Sequence, residues 1–320
     1  MIIVFSVVVT HNRKHLLRKT LVAQTSQAIP PEKIIIVDNA STDGTHEMLK
    51  TEGWLDRPDV ELLALPVNTG GAGGFYSGIK RAYELGADWI WVIDDDCIPA
   101  ADALERLIAS LKSTLAPNKE NIGFLASRVL WKDGSPCLMN IPVPHHLWLE
   151  PHAISSNLTR ISSSSFVSML INRRAIKEVG LPVKEFFIWF DDAEYSRRIS
   201  EKMPCYLVSD SIVFHETPEN IAPLDLTQLT EKSAWKFHYG IRNQASYHFV
   251  RDGFAAGYLF CLKMLVRSFR HTNSWRMRWL VLNACWQGWR FDYEKLIEHV
   301  NQPIKSIDRE ARTSDHNQNI

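Results

Sequence analysis

Trp89-Ile90-Trp91-Val92-Ile93-Asp94-Asp95-Asp96 is an apolar run that stops in three carboxylates. Five consecutive apolar residues read as a strand buried on both faces. In open α/β sheets ligands gather outside the carboxyl ends of such strands. Three adjacent carboxylates repel one another and call for a compensating cation. A divalent metal carrying a diphosphate would compensate them, and the simpler alternative is a solvated acidic turn.

The segments upstream extend the pattern. Ile2 to Val9, Lys33 to Val37 and Val60 to Leu65 read as three further strands. Helices are expected over His15 to Gln27, around Met48 and Leu49 with Ser41 or Thr42 as N-cap, and over Phe75 to Leu85. Strand and helix in alternation imply a doubly wound, mostly parallel sheet with helices on both faces. Each strand then ends in a polar or glycine-rich loop on one edge: Thr10-His11-Asn12-Arg13, Asp38-Asn39-Ala40-Ser41-Thr42-Asp43, Asn68-Thr69-Gly70-Gly71-Ala72-Gly73-Gly74, and the aspartates. Four such loops in register predict a nucleotide pocket. Asp38 can accept from a base imide N–H, Arg13 can pair with base or phosphate through its planar fork, and the glycines let backbone approach a sugar or phosphate. Tyr76 breaks a G-x-G-x-x-G pattern and no Gly-Lys-Ser/Thr follows, which disfavours dinucleotide dehydrogenases and P-loop NTPases.

Composition narrows the classes. Lys plus Arg equals Asp plus Glu at 36 each, so no global charge points to nucleic acid. Cys97, Cys137, Cys205, Cys261 and Cys285 form no C-x-x-C pair, which argues against a zinc site or disulfide framework and for a reducing cytoplasm. The first residues lack a basic n-region and read as strand rather than signal peptide. No apolar stretch reaches the ~18 residues of a spanning helix.

Beyond Ala116 the alternation loosens. Ile122 to Leu130, Ser165 to Ile171 and Cys205 to Phe214 look like strands, and Asp191 to Glu201 like a helix. Gly134 to Ser164, rich in Pro, His and Ser, reads as a long irregular binding loop or lid. Within it Pro142 to Ser164, with His145, His146 and Trp148, is the candidate for acceptor selectivity. From Trp235 the chain reads as helical. Between Gly253 and Phe291 it carries Lys263, Arg267, Arg270, Arg276, Arg278 and Arg290, interleaved with Trp275, Trp279, Trp286 and Trp289, and no acidic residue. That pattern fits a membrane interface or, equally, a helical subdomain with an ordinary core. The expected division is 1–220, 221–300 and a polar tail 301–320.

Taken as a set, Val-Val-Thr-His-Asn-Arg, Val-Asp-Asn-Ala-Ser-Thr-Asp-Gly-Thr, Asn-Thr-Gly-Gly-Ala-Gly-Gly-Phe and the aspartate triplet resemble family 2 glycosyltransferases of the GT-A fold, over roughly the first 220 residues. Phe190-Asp191-Asp192-Ala193-Glu194-Tyr195 further resembles galactofuranosyltransferases of bacteria, and related rhamnosyltransferases share much of the pattern. The resemblance implies metal-dependent, inverting transfer from a nucleotide sugar. Asp94, Asp96 and His215 would hold Mn²⁺ or Mg²⁺. Thr10, Arg13, Asp38, Asn68, Gly71, Asp94 and Asp95 would line the donor. Asp192 would be the base, with Asp191 orienting the acceptor. Acidic residues at a helix start are also favoured by the macrodipole alone, and both readings can hold together. Trp189, Phe190 and Tyr195 could stack on sugar faces. His238-Tyr239-Gly240-Ile241-Arg242-Asn243 is similar to a segment of polysaccharide-assembling members, structural or acceptor-side in role.

The leading expectation is a galactofuranosyltransferase acting on a glycan or polyprenyl-linked glycan, peripheral on the cytoplasmic membrane face. UDP-galactofuranose is the expected donor and dTDP-rhamnose the runner-up. A nucleotidyltransferase and a non-catalytic nucleotide-sugar-binding module are the alternatives of another class.

Overall fold

The computed structural model describes residues 2–113, 116–148, 157–297 and Ile304. Its first part alternates as expected: β1 (Val4–Thr10), α1 (Lys14–Thr25), β2 (Lys33–Asp38), α2 (Thr45–Thr51), β3 (Val60–Ala64), α3 (Gly70–Glu84) and β4 (Trp89–Asp94). These strands are parallel and lie in the order β3-β2-β1-β4. Strand order reverses beside β1, and the crevice at such a switch point is where open α/β sheets bind ligands. The register Val9↔Asp94 sets the end of β1 against the start of the acidic tip.

The second half is mixed rather than parallel. It contains β5 (Cys97–Pro99), α4 (Ala103–Lys112), β6 (Phe124–Trp131), β7 (Val143–Pro144), β8 (Leu158–Ser163), β9 (Met169–Asn172), α5 (Arg173–Val179), α6 (Asp191–Ser200) and β10 (Tyr206–His215). Beyond β4 the sheet continues β9-β6-β10-β8-β7, with β9 antiparallel to both β4 and β6 and β10 parallel to β6. The expected loop from Gly134 to Ser164 contains β7 and β8, because Leu158 and Ile161 bury on alternate sides of a strand that pairs with β10. Residues 149–156 of that segment lie outside the described residues.

Period-two alternation sorts the strands onto two cores. On one face Val4, Val8, Ile34 and Ile36 meet Leu17, Leu21, Leu49 and Leu107. On the other Val7, Val9, Ile35 and Val37 meet Ile79, Ala82, Ile176 and Ile199. Burying each such side chain fully contributes about 1.5–3 kcal/mol. Three helices follow: α7 (Ala234–Tyr247), α8 (Phe254–His271) and α9 (Trp275–Arg290). They share a small core of Phe237, Ile241, Met264, Met277 and Val281. Their outer sides stay apolar: Phe254, Tyr258, Leu262, Val266 and Phe269 on α8, and Trp275, Trp279, Leu282, Trp286 and Trp289 on α9, are exposed at spacings of three and four. An ordinary core therefore accounts for only one side of these helices. No helix among the described residues is long and apolar enough to cross a membrane. Residues 301–320 lie outside the described residues apart from Ile304.

Candidate active site

The sharp turn after β4 is built from both sides. Thr20 of α1 donates its hydroxyl to the backbone oxygens of Asp95 (2.7 Å) and Cys97 (3.0 Å). Thr10, at the end of β1, donates to Asp95 Oδ2 at 2.7 Å. Arg13 Nη1 reaches Asp95 Oδ1 at 3.0 Å and Asp96 Oδ2 at 2.7 Å, and the Arg13 side chain stays 42% exposed. Arg13 is thus first a clamp on the aspartates, with its remaining surface open to a ligand. Burial and the Asp96 charge leave the Asp94 carboxyl raised, against the opposing charges of Arg13 and His215. Burial and the Asp94 charge push Asp95 up to about 8 despite Arg13. One guanidinium does not compensate three carboxylates.

Asp96 faces a second element. Its Oδ1 lies 3.0 Å from Nε2 of His215, at the end of β10, and both residues are buried. The antiparallel pair β5–β10 aligns His215 with Cys97 and so fixes this contact. Burial works against a charged imidazole here, but the Asp96 hydrogen bond outweighs it and raises His215 to about 10. His215 Nδ1 is 2.7 Å from Asn140 Oδ1, and Asn140 Nδ2 donates to Ser165 at 2.9 Å. With the amide oriented by Ser165, Nδ1 is the donor and Nε2 is turned toward Asp96. Carboxylate oxygens of Asp94, Asp95 and Asp96, and separately ligand atoms of Asp96, Cys97 and His215, lie within 4.8 Å of one another. Buried carboxylates in excess of their cation, beside an oriented imidazole nitrogen, fit a divalent metal.

The glycine loop is arranged differently from the sequence expectation. Gly70, Gly73, Gly74 and Gly78 approach protein rather than ligand. A Cβ would lie 2.0 Å from the Phe187 carbonyl oxygen at Gly70, 2.4 Å from Thr69 at Gly73 and 2.4 Å from Val9 at Gly74. At Gly78 it would lie 2.3 Å from Val7. The absent side chains of Gly74 and Gly78 let α3 lie directly on β1. Gly71 alone of this run opens into free space. Asn39 ties the loop to β2 by donating to Gly70 O at 2.8 Å and accepting from Thr69 N at 2.8 Å. Asp38 is buried and accepts from Ser41 N at 2.9 Å, and exposed Asn68 accepts from Gly70 N at 2.8 Å. Neither Ser41 nor Thr42 caps α2. Asp43 does the comparable work, accepting from Thr45 N and, at the start of α1, from Lys14 N, both at 3.1 Å.

Asp191 and Asp192 open α6. Asp191 is buried, and its carboxyl is held well above the ordinary range by burial, by Asp192 and by the Asp94 charge. Asp192 is half-buried and is pushed up to about 6 by burial, against a hydrogen bond from Ala193 N at 2.7 Å. Tyr195 is not available for stacking, because it is fully buried against Phe166 and donates to Gly180 O at 2.9 Å. Trp189 packs edge-on against Phe237, and Phe190 against Tyr247.

Before α6 the backbone is strained. Phe187, Trp189 and Phe190 take φ of 65°, 62° and 75°, a region that large side chains avoid. Buried Asn243 of α7 holds this segment, its Nδ2 reaching the carbonyls of Phe186 (2.9 Å), Ile188 (3.1 Å) and Trp189 (2.8 Å). Arg242 adds a bond to Glu185 O at 2.8 Å. Phe187 O in turn accepts from Ala72 N at 3.1 Å, so the glycine loop and the strained segment are locked together. The Arg-Asn pair supports the segment that ends in the two aspartates. Lys236 was not singled out in the sequence, yet its ammonium on α7 lies within the electrostatic reach of Arg13, Asp94 and Asp96. Asn140 and Lys236 carried no sequence signal, being single polar residues in unremarkable runs, and Asn39 was visible only as one member of its strand-end motif.

Residues 6–116 match the family model of glycosyl transferase family 2. Galactofuranosyltransferase GlfT1 of Mycolicibacterium smegmatis is 32% identical over 214 residues, which cover 62% of this chain and 65% of that protein. GlfT1 of Mycobacterium tuberculosis is 32% identical over 221 residues, covering 61% and 64%. The chain thus matches less than two thirds of the length of either relative. Among solved structures, GalNAc-T7 with UDP, GalNAc and Mn²⁺ superposes with a TM-score of 0.60 at 14% identity, over 94% of this chain and 57% of that one. S. aureus TarS 1-349 in complex with UDP-GlcNAc gives 0.56 at 15% identity, over 98% and 92%. At such identities the likeness is one of fold, and the fold is GT-A.

Proposed function

We propose that the chain, whose residues 6–116 match the family model of glycosyl transferase family 2, is an inverting, metal-dependent transferase moving galactofuranose from UDP-galactofuranose to a glycan or polyprenyl-linked glycan. The observation that carries the reading is the 3.0 Å contact between Asp96, on the acidic tip, and His215. The donor choice is supported by relatives named as galactofuranosyltransferases, and the cation by a structural neighbour solved with UDP and Mn²⁺.

Asp94, Asp96 and His215 would hold Mn²⁺ or Mg²⁺, whose positive charge would offset that of the departing diphosphate. Thr10, Arg13 and Asp95 keep the tip in place, and Asp38 accepts from the base. Gly71 and Asn68 leave room for the donor, and Lys236 adds a cation within reach of the acidic tip. Asp192 takes the proton of the acceptor hydroxyl as its oxygen bonds to the anomeric carbon. The carbon–oxygen bond to the diphosphate breaks, and its electron pair leaves with the nucleotide. Asp191 hydrogen-bonds the acceptor in its neutral form, consistent with its raised pKa. A base needs a value near the working pH, and burial brings Asp192 toward it.

Residues 221–300 complete the proposal. The exposed apolar sides of α8 and α9, flanked by exposed Lys263, Arg267, Arg270, Arg276 and Arg290, suit the anionic inner face of a cell membrane. There they would sit beside a lipid-linked acceptor.

The test is a donor panel of UDP-galactofuranose, other UDP-sugars and dTDP-rhamnose, with Mn²⁺ or Mg²⁺ and with or without acceptor, followed by release of nucleoside diphosphate. Turnover with UDP-galactofuranose, lost in Asp96→Ala together with metal-dependent donor binding, is expected. Preference for dTDP-rhamnose would overturn the donor assignment. Metal-independent turnover would overturn the metal site.

A further inference from the structure

A cavity of about 420 Å³ opens between α7 and α9, lined by Arg242, Asn283, Trp286, Gln287, Arg290 and Phe291. Its lining combines cationic and aromatic side chains. Arg242 is largely buried between the rings of Tyr239 and Phe291, at 4.8 and 4.3 Å. Its Nε and Nη2 are used within the protein, on Asn243 Oδ1 and the carbonyls of Glu185 and Phe186, whereas Nη1 has no hydrogen bond among the described residues. No carboxylate among them compensates its charge, and burial pulls its pKa down to about 10. A buried guanidinium without an anion is costly, and it is normally paired. Arg290, on the last turn of α9, brings a second cation to the same space. Beside the cations the lining is apolar: Trp286, whose ring lies 5.6 Å from the Arg290 guanidinium, packs on Trp289 at 5.1 Å between ring centres, and both continue the exposed stripe of α9.

We infer that this cavity binds a phosphate group carried on an apolar chain, with Arg242 and Arg290 on the phosphate and Trp286 and Phe291 on the adjoining carbons. Two sources share that chemistry, a polyprenyl-phosphate acceptor and bulk phospholipid. The acceptor is the better fit because the other edge of Arg242 holds Glu185 and Phe186, at the root of the strained segment that leads to Asp191 and Asp192. Only this choice of source rests on the transferase reading. The cavity's affinity for a phosphate on an apolar chain does not.

Calorimetric titration of the full chain tests it with farnesyl phosphate, farnesol, inorganic phosphate and dihexanoyl phosphatidic acid, in the absence of nucleotide sugar. Farnesyl phosphate should bind at least tenfold more tightly than the other three, as expected when a charge-assisted bond and an apolar contact act together. Arg290→Gln, at an exposed helix end, should weaken it at least tenfold while leaving UDP affinity unchanged. Arg242→Gln should do the same, but it also frees the strained segment, so Arg290→Gln decides. Unchanged farnesyl phosphate affinity in Arg290→Gln overturns the site. Equal binding of phosphatidic acid makes it a phospholipid contact and overturns the acceptor assignment, and equal binding of inorganic phosphate overturns the role of the apolar rim. No turnover is needed, so an inactive donor panel would sink the proposed reaction and leave this result standing.

Discussion

Asn243→Ala is the most informative single substitution, because one amide carries three backbone carbonyls. Its Nδ2 has two protons for Phe186, Ile188 and Trp189, at 2.8 to 3.1 Å. Two hydrogen bonds to carbonyls are therefore lost at any instant, in a place with no exposure to water, together with the acceptor that Oδ1 offers to Arg242 Nε and Nη2. A buried polar group left without its partner costs about 1–3 kcal/mol, so a stability loss on the order of 3 kcal/mol is expected. The carbonyls are also what holds Phe187, Trp189 and Phe190 at positive φ, each a conformation about 1–3 kcal/mol above the relaxed one. Released, the segment relaxes and shifts the start of α6, and a displacement of roughly 1 Å at a catalytic group lowers kcat about a hundredfold. Nucleotide binding should change far less, because Thr10, Thr20 and Arg13 hold the acidic tip from the other side. The assay is kcat for sugar transfer beside calorimetric UDP affinity and a urea unfolding curve. Asn243→Asp serves as a control: it keeps an acceptor for Arg242 but has no donor for the carbonyls, and it should lose at least as much. A kcat close to wild type, or a fall in UDP affinity as large as the fall in kcat, would refute the placement argument.

Other outcomes follow from the same arrangement of residues. Asp192→Asn should lower kcat by about 10²–10⁴ while UDP affinity holds. In the wild type log kcat should rise with unit slope as pH increases toward about 6 and level above it, because Asp192 must lose its proton before it can act as base; a flat profile from pH 5 to 8 would remove it from that role. Gly74→Ala, whose Cβ would meet Val9 at 2.4 Å, should cost about 1–3 kcal/mol of stability, whereas Gly71→Ala should leave unfolding unchanged and raise the donor KM; equal unfolding curves for the two would contradict the packing described. Lys236→Met should weaken UDP about tenfold, the loss of one charge-assisted contact, with uridine unaffected. Co-sedimentation with anionic vesicles should be strong at low salt and fade as ions screen the basic flank of α8 and α9, and no association at low salt would count against a membrane role.

The motifs at the strand ends were legible because each follows a continuous apolar run, and such a run in an alternating chain has few alternatives to a buried parallel strand. Direction is another matter. Met169 to Asn172 reads as a strand either way along the sheet, and only the fold reveals that β9 runs against β4. The glycines were legible as a functional run but not as to what each one meets. Val7 and Val9, which α3 approaches, lie about 65 positions or more away in sequence, and the spacing of the glycines alone does not say whether the close neighbour is a phosphate or a strand.

The support behind the candidate site was the least visible part, for a reason that lies in the chemistry of its bonds. Asn243 and Arg242 act on backbone carbonyls, and a carbonyl has the same sequence signature at every residue. What does show in the sequence is the cation, which is why Arg242 stood out only as half of a pair. Its guanidinium serves two surfaces at once, the strained segment on one edge and the cavity beside α9 on the other. If an acceptor phosphate binds that free edge, it is held by the same rigid group that fixes the root of the segment carrying Asp191 and Asp192. Distance between acceptor anchor and base is then set by one side chain and its two neighbours rather than by a mobile loop. Transfer from short-chain acceptors should accordingly lose kcat as well as affinity when their phosphate is removed, and an acceptor alcohol turned over at the full kcat once saturated would show that the anchor only binds.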